Sequence, residues 1–243
     1  MSLKVTMPKL GVNIDHVATL RQLRHSLFPD VLLAAQFCEA AGADSIVAHL
    51  REDRRHIQDD DVFVLRKTVG TKLNLEMSLA PEIVRIACRL KPDQATLVPE
   101  NRKELTTEGG LDVMNIERRV EKAIVKLKAS GIEVSLFIEP DCRAIKKAGE
   151  IGAQIVELHT GSYANAVTKR VKKRELSRLK DAVTCAHDLG LVVCAGHGLD
   201  YINVCPVARI PNIYELNIGY AIICRSVFTG LNDAVQSMKK LIG

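Results

Sequence analysis

Titratable side chains recur in this chain at one kind of place, the end of a short apolar run. "SIVA" leads into "HLREDRRH" (49–56), where five charged residues stand between His49 and His56. Asn13, Asp15 and His16 close "KLGVNID" (9–15) and the step beyond it. Glu76 sits between Leu75 and Met77 near the end of "KLNLEMSL" (72–79), Glu157 and His159 close "QIVELHTG" (154–161), and His197 lies between two glycines in "AGHGL". A carboxylate set in apolar sequence is expensive to bury unless it is paired, so Glu76 is a candidate for a raised pKa and for proton transfer. Glu157 carries the same argument more weakly, because strand alternation can turn it outward. Each of these residues also has a plain structural reading: His49 as a satisfied core histidine, His197 as part of a turn. Glycines at 196 and 198 permit close backbone approach to a ligand.

Anion binding has candidates of its own. "GHGL" (196–199) and "NIGYAII" (217–223) end the last two apolar runs, with Gly219 and Tyr220 opening a short helix. Backbone N–H groups at such places hold phosphate in barrel enzymes. Arg51 and His56, joined by Thr106 from a long connection, could form a second anion site, since the arginine fork matches phosphate oxygens. Two anion sites at one mouth imply two phosphorylated substrates. No HExxH or tight ligand spacing occurs, and the arginine density argues against a nearby cation, so no metal is expected.

The elements that must position these groups alternate along the chain. Eight short apolar runs read as strands: 9–15, 45–50, 72–79, 94–99, 133–140, 154–161, 191–198 and 213–220. Between them, "PDVLLAAQFCEAAGA", "VEKAIVKLKASG" and "LSRLKDAVTCAHDLG" have helical spacing and stop at Gly42, Gly131 and Gly190; "LNDAVQSMKKLIG" closes the chain as a helix. Eight β-then-α units at this length predict an α/β fold, a (β/α)8 TIM barrel with extra helices, as a single domain over residues 1–243. A doubly wound sheet would show fewer strands and a glycine triplet after the first. In a barrel every strand delivers its C-terminal end to one mouth, so the residues above converge. Of the seven histidines, only His25 and His187 fall elsewhere.

Composition sets the limits. The chain has 243 residues, 47% hydrophobic and 26% charged, with no tryptophan and a net charge of +5, a mildly basic balance that suits small anionic substrates. The densest basic run, "KRVKKRELSRLK" (169–180), reads as a solvated helix face. With aromatics at 4% there is no stacking platform for nucleic acid. The seven cysteines are scattered and form no CxxC, which is reduced-cytosol usage and not a disulfide framework or a zinc site. The start has no leader pattern and no run reaches membrane-spanning length, so the expected location is the cytoplasm, with no membrane partner.

Taken in order, "LGVNIDHVATLR", "AGAD", "HLREDRRHI", "NLEMS", "LVPE", "ELTTEGGLDV", "VSLFIEPD", "ELHTG", "AGHGL" and "ELNIGYAII" resemble the pyridoxine 5′-phosphate synthase family from about residue 10 to the C-terminus. The resemblance implies condensation of 3-amino-2-oxopropyl phosphate with 1-deoxy-D-xylulose 5-phosphate to pyridoxine 5′-phosphate, phosphate and water, without metal or organic cofactor. It also implies a homo-oligomer, typically an octamer. By motif it places His49 and Glu76 as proton acceptors, His197 as proton donor and Glu157 as the carboxylate that assists the transition state. Asn13, Arg24, Gly198, Gly219 and Tyr220 fall where the family binds the amino-ketone phosphate. Asp15, His16, Arg51, His56 and Thr106 fall where it binds the deoxyxylulose phosphate. The connection over 100–116 is a lid in this reading. Three positions depart from the family pattern: His25 replaces a glycine, Asn101 a lysine, and Tyr220 a histidine or glutamine. Two other readings compete with this one. One is another barrel aldolase or lyase on sugar phosphates, against which no lysine closes a strand in a Schiff-base position. The other is a basic module that uses 169–180 on nucleic acid.

Overall fold

The computed structural model describes residues 7–100 and 109–243. Eight parallel strands close into one barrel in sequence order, β1 pairing with both β2 and β8. They are β1 (Lys9–Asn13), β2 (Ser45–Leu50), β3 (Lys72–Met77), β4 (Gln94–Leu97), β5 (Glu133–Ile138), β6 (Ile155–His159), β7 (Val192–Gly196) and β8 (Ile213–Ile218). The helices are α1 (Asp15–Gln22), α2 (Val31–Ala40), α3 (Asp59–Thr68), α4 (Pro81–Leu90), α5 (Glu117–Ala129), α6 (Cys142–Glu150), α7 (Gly161–Ala164), α8 (Lys169–Asp188), α9 (Val204–Ala208), α10 (Tyr220–Thr229) and α11 (Leu231–Ile242). The expected (β/α)8 barrel with additional helices is the fold.

Local chemistry accounts for the element ends. Asp30 accepts the N–H groups of Leu32 and Leu33 at the start of α2, Asp141 that of Arg143 at α6, and Thr168 that of Val171 at α8. Gly42, Gly131 and Gly190 follow their helices at φ of 97°, 80° and 75°, values that glycine adopts without a Cβ clash. On α8, Lys169, Arg170 and Arg174 are exposed while Leu179, Ala182, Val183 and Ala186 are buried, so the basic run is a solvated face as expected.

The period of two divides the strands. In β3, Leu73, Leu75 and Met77 are fully buried in the aliphatic layer under the helices. Asn74 and Glu76 alternate with them. A ladder of polar side chains crosses between strands. Lys72 Nζ donates to Gln94 Oε1 (3.1 Å) and Glu215 Oε1 (2.9 Å), Gln94 Nε2 donates to Thr96 Oγ1 (3.0 Å), and that hydroxyl donates to Asn74 Oδ1 (2.8 Å). Gln94, Thr96, Asn74 and Glu215 are fully buried, so these bonds offset the cost of removing polar groups from water.

One expectation is corrected. Cys142 and Cys185 are joined by a disulfide, not left as thiols. Helices α6 and α8 pack side by side and bring the two Cα atoms to 6.0 Å, within the span that a disulfide bridges. A separation of 43 residues carried no sign of this in the sequence. The other five cysteines are free.

Candidate active site

The C-terminal ends of the strands bring the chemistry together. Asn13, the last residue of β1, donates through Nδ2 to Asp15 Oδ2 (2.9 Å) and Glu76 Oε2 (3.4 Å), and its Oδ1 accepts the Asp15 N–H (3.0 Å). Asp15 Oδ1 accepts the N–H of His49 (2.8 Å). The His49 ring lies with Nδ1 4.0 Å from Glu76 Oε2 and Nε2 2.9 Å from Glu100 Oε1. Four strand-end residues from three strands and α1 thus form one bonded set, made possible by the β2–β3 register that pairs His49 with Glu76. Burial raises the Glu76 carboxyl well above the usual carboxylate range, and the charges of Glu157 and Asp15 add to the rise. Asp15, His49 and Glu76 each bring one ligand-type atom within 4.8 Å of the others. Asn13 bridges the two carboxylates and Glu100 engages the imidazole, which accounts for that proximity; the trio is not assigned to a metal.

A second group faces it from β6, β7 and β8. Glu157 points inward, with 2% exposure, and its Oε2 accepts from Asn217 Nδ2 (2.7 Å). A Cβ at Gly196 would lie 2.5 Å from Glu157 Oε1, so the glycine makes the room that this carboxyl occupies. Burial pushes Glu157 up to about 7, the Asn217 hydrogen bond opposing and the nearby Glu215 charge assisting. His197 sits at φ 80°, a conformation costly for a residue with a Cβ, and Thr160 Oγ1 holds its carbonyl at 2.5 Å. Burial lowers the His197 imidazole to about 4, helped by His159, whose ring centroid is 5.1 Å away. Gly198, at φ 75°, packs where a Cβ would meet that of Ala164 at 2.8 Å.

The predicted anion residues divide. Arg51 is 3% exposed and donates through Nε to Asp53 Oδ1 (3.2 Å). His56 lies 6.1 Å from His49 between ring centroids; burial lowers its pKa, against the pull of Asp15. Gly219 is the N-cap of α10, and a Cβ there would lie 2.9 Å from Asn13, so this close approach needs glycine. His16 meets Tyr220 edge to face at 5.1 Å, and burial lowers its pKa. Arg24 is exposed beyond the end of α1, and among the described residues no hydrogen bond joins its guanidinium to the set above. Thr106 and Asn101 lie outside the described residues.

Three partners escaped the sequence reading. Glu100 holds His49, Asn217 holds Glu157, and Glu139 Oε1 lies 2.6 Å from His159 Nδ1 while also accepting the Gly110 N–H at 3.2 Å. Glu100 and Glu139 close the fourth and fifth apolar runs, so the strand-end signal used elsewhere applies to them too. The remaining charges of the 49–56 stretch brace their loop. Arg55 pairs with Asp53, Arg54 with Asp59 and Glu82, and Glu52 Oε1 accepts from Ser78. Burial works against ionising Asp53, yet the hydrogen bonds from Arg55 and Arg51 hold its carboxyl well below the usual range.

Comparisons with known proteins identify the family. Residues 10–243 match the family described as "Pyridoxal phosphate biosynthesis protein PdxJ". A pyridoxine 5′-phosphate synthase of Syntrophotalea carbinolica is 53% identical over 237 residues, covering 98% of this chain and 99% of the relative. One from a Synechococcus species is 56% identical over 237 residues, with the same coverage of 98% and 99%. Among solved structures, a tryptophan synthase from M. tuberculosis has a TM-score of 0.66 at 9% identity, covering 98% of this chain and 94% of that one. A phosphoribosylanthranilate isomerase from Thermotoga maritima has a TM-score of 0.60 at 13% identity, covering 97% and 98%. Those two likenesses concern the fold alone. With a family match from residue 10 to the C-terminus and relatives above half identical across their whole length, the chain belongs to the PdxJ family of pyridoxine 5′-phosphate synthases.

Proposed function

We propose that the chain condenses 3-amino-2-oxopropyl phosphate with 1-deoxy-D-xylulose 5-phosphate to pyridoxine 5′-phosphate, phosphate and water, as one barrel domain acting without metal or organic cofactor. The observation that carries this reading is the bonded set of Asn13, Asp15, His49 and Glu76 facing Glu157 and His197 across one mouth. Imine formation, dehydration and ring closure are proton transfers at carbonyl-derived carbons, and they need several groups of different proton affinity around one pocket. His49 and Glu76 take protons. Burial and the charges of Glu157 and Asp15 raise the proton affinity of the Glu76 carboxyl, which suits it to holding a proton taken from the substrate. His197 is neutral in the unliganded site; a phosphate dianion beside it favours the imidazolium, so it gains its donor proton with substrate. Glu157 supports positive charge that develops on the condensing atoms.

Asn13, Arg24, Gly198, Gly219 and Tyr220 hold the amino-ketone phosphate, with the α10 N-terminus directed at the anion. Asp15, His16, Arg51, His56 and Thr106 hold the deoxyxylulose phosphate. The protein works as a cytoplasmic homo-oligomer, an octamer, with no nucleic-acid or membrane partner. No helix among the described residues is long and apolar enough to cross a membrane. The test is a product assay on purified, chelator-dialysed protein given both substrates. Pyridoxine 5′-phosphate and inorganic phosphate are expected in equal amounts, and Glu76→Gln is expected to fold while losing about 10³-fold in turnover. Absence of product, or activity that returns only with added metal, refutes the reading.

A further inference from the structure

We infer that Glu100 is a positioning residue for His49, fixing the imidazole with its proton on Nε2 and its lone pair on Nδ1. The inference rests on the proposed role of His49 as a proton acceptor and adds the group that makes it one. Glu100 stands three residues beyond β4 with a side chain only 5% exposed. Both of its carboxylate oxygens are engaged: Oε1 lies 2.9 Å from His49 Nε2, and Oε2 accepts the Glu52 N–H at 3.1 Å. A carboxylate can only accept, so the 2.9 Å contact requires a hydrogen on Nε2. The remaining nitrogen, Nδ1, then carries the lone pair and faces Glu76 Oε2 at 4.0 Å, on the side where the other mouth residues converge. The imidazole is held from a second direction through its own backbone, whose N–H donates to Asp15.

This is the arrangement of base and orienting carboxylate that makes a histidine a general base, with the roles of the two ring nitrogens assigned. When Nδ1 takes a proton, the positive charge forms against a buried carboxylate already in place. Burial of Glu100 opposes its ionisation, but the His49 hydrogen bond and charge outweigh it and hold the carboxyl below its ordinary range. Among the described residues, the charged or titratable groups around His49 are Asp15 of α1, Glu76 of β3, Arg51 and His56 after β2, and Glu100 itself. Among them only Glu100 bonds the ring.

Glu100→Gln separates this role from simple packing. The amide keeps the shape, but it cannot accept from both His49 Nε2–H and Glu52 N–H, so one of them faces an NH₂ donor. Turnover is expected to fall about 10²-fold, with KM for either substrate within about threefold of wild type. Glu100→Asp, which keeps the charge, is expected to recover part of the turnover. A ¹⁵N-histidine solid-state spectrum of wild type, assigned with His49→Asn, is expected to show His49 protonated on Nε2. The reverse tautomer overturns the inference, as does a Glu100→Gln enzyme with wild-type turnover. An active His49→Asn removes the base and the inference with it, whereas an inactive His49→Asn beside an unaltered Glu100→Gln removes the inference alone.

Discussion

At the scale of single residues, the mouth of this barrel holds two carboxyls, Glu76 and Glu157, whose proton affinity burial raises above the ordinary range. Glu157 is the clearest case. It is 2% exposed, it accepts a hydrogen bond from neutral Asn217, and burial pushes it to about 7. An unfolded chain ionises the same carboxyl near 4.5. Below that value both states are protonated and the burial of Glu157 carries no ionisation cost. Between about 4.5 and 7 the unfolded state ionises first, so this group's contribution to stability declines as pH rises and levels off above about 7. Glu157→Gln keeps an oxygen for Asn217 and cannot ionise. The variant's stability relative to wild type is therefore expected to be on the order of 1–3 kcal/mol more favourable at pH 8 than at pH 4.5. Turnover falls at the same time if Glu157 supports the transition state. Urea denaturation of both proteins at the two pH values measures the difference. A difference independent of pH would mean that Glu157 is ionised in the folded protein.

At the scale of elements, the turn between α1 and α2 puts a residue with a Cβ in a left-handed backbone conformation. His25 stands where the family resemblance implies a glycine, and it is exposed at φ 48°, a left-handed conformation that glycine adopts freely. Restoring glycine should remove a steric cost of roughly 1–2 kcal/mol while giving back roughly 0.5–1 kcal/mol of chain entropy. His25→Gly is thus expected to raise the urea midpoint slightly, and an unchanged or lower midpoint would place the departure outside backbone strain. The elements themselves were largely legible in the sequence, because eight runs rich in branched aliphatics, bounded by glycine and proline, can hardly be anything but strands. β2 falls on Ser45–Leu50 as predicted, and the others end within a few residues of their apolar runs. The four-residue α7 and five-residue α9 were not legible, since a single turn carries no periodicity. Within the site, His49, Glu76, Glu157 and His197 stood out because polar residues closing apolar runs are conspicuous one at a time. Partnerships were not. His49 meets Glu100 across 51 residues and Glu157 meets Asn217 across 60, distances that only the closed barrel spans.

At the scale of the whole molecule, the mouth is flanked by apolar surface that a single chain leaves in water. Leu23, Leu27 and Phe28 in the connection after α1 are 75%, 84% and 72% exposed, and Val227 and Phe228 at the end of α10 are 70% and 89% exposed. Helix α1 packs against α10, so these residues belong to neighbouring elements on one flank of the barrel. Scattered exposed leucines are ordinary, but large apolar side chains exposed on two neighbouring elements suit an interface. The basic run of α8 offers no such surface, because its exposed face carries lysine and arginine. The proposed octamer is expected to use the α1–α10 flank. Light scattering on the purified protein is expected to give eight times the chain mass. Leu27→Glu combined with Phe228→Glu sets two carboxylates on that flank, where burial against a second copy desolvates them without a partner, each at a cost of several kcal/mol. The doubly substituted protein is expected to run as smaller species with an unchanged far-ultraviolet circular dichroism spectrum, since neither side chain contributes to the barrel core. A wild type that runs at the mass of one chain removes the oligomer from the proposal. A doubly substituted protein that keeps the octameric mass moves the interface to another face.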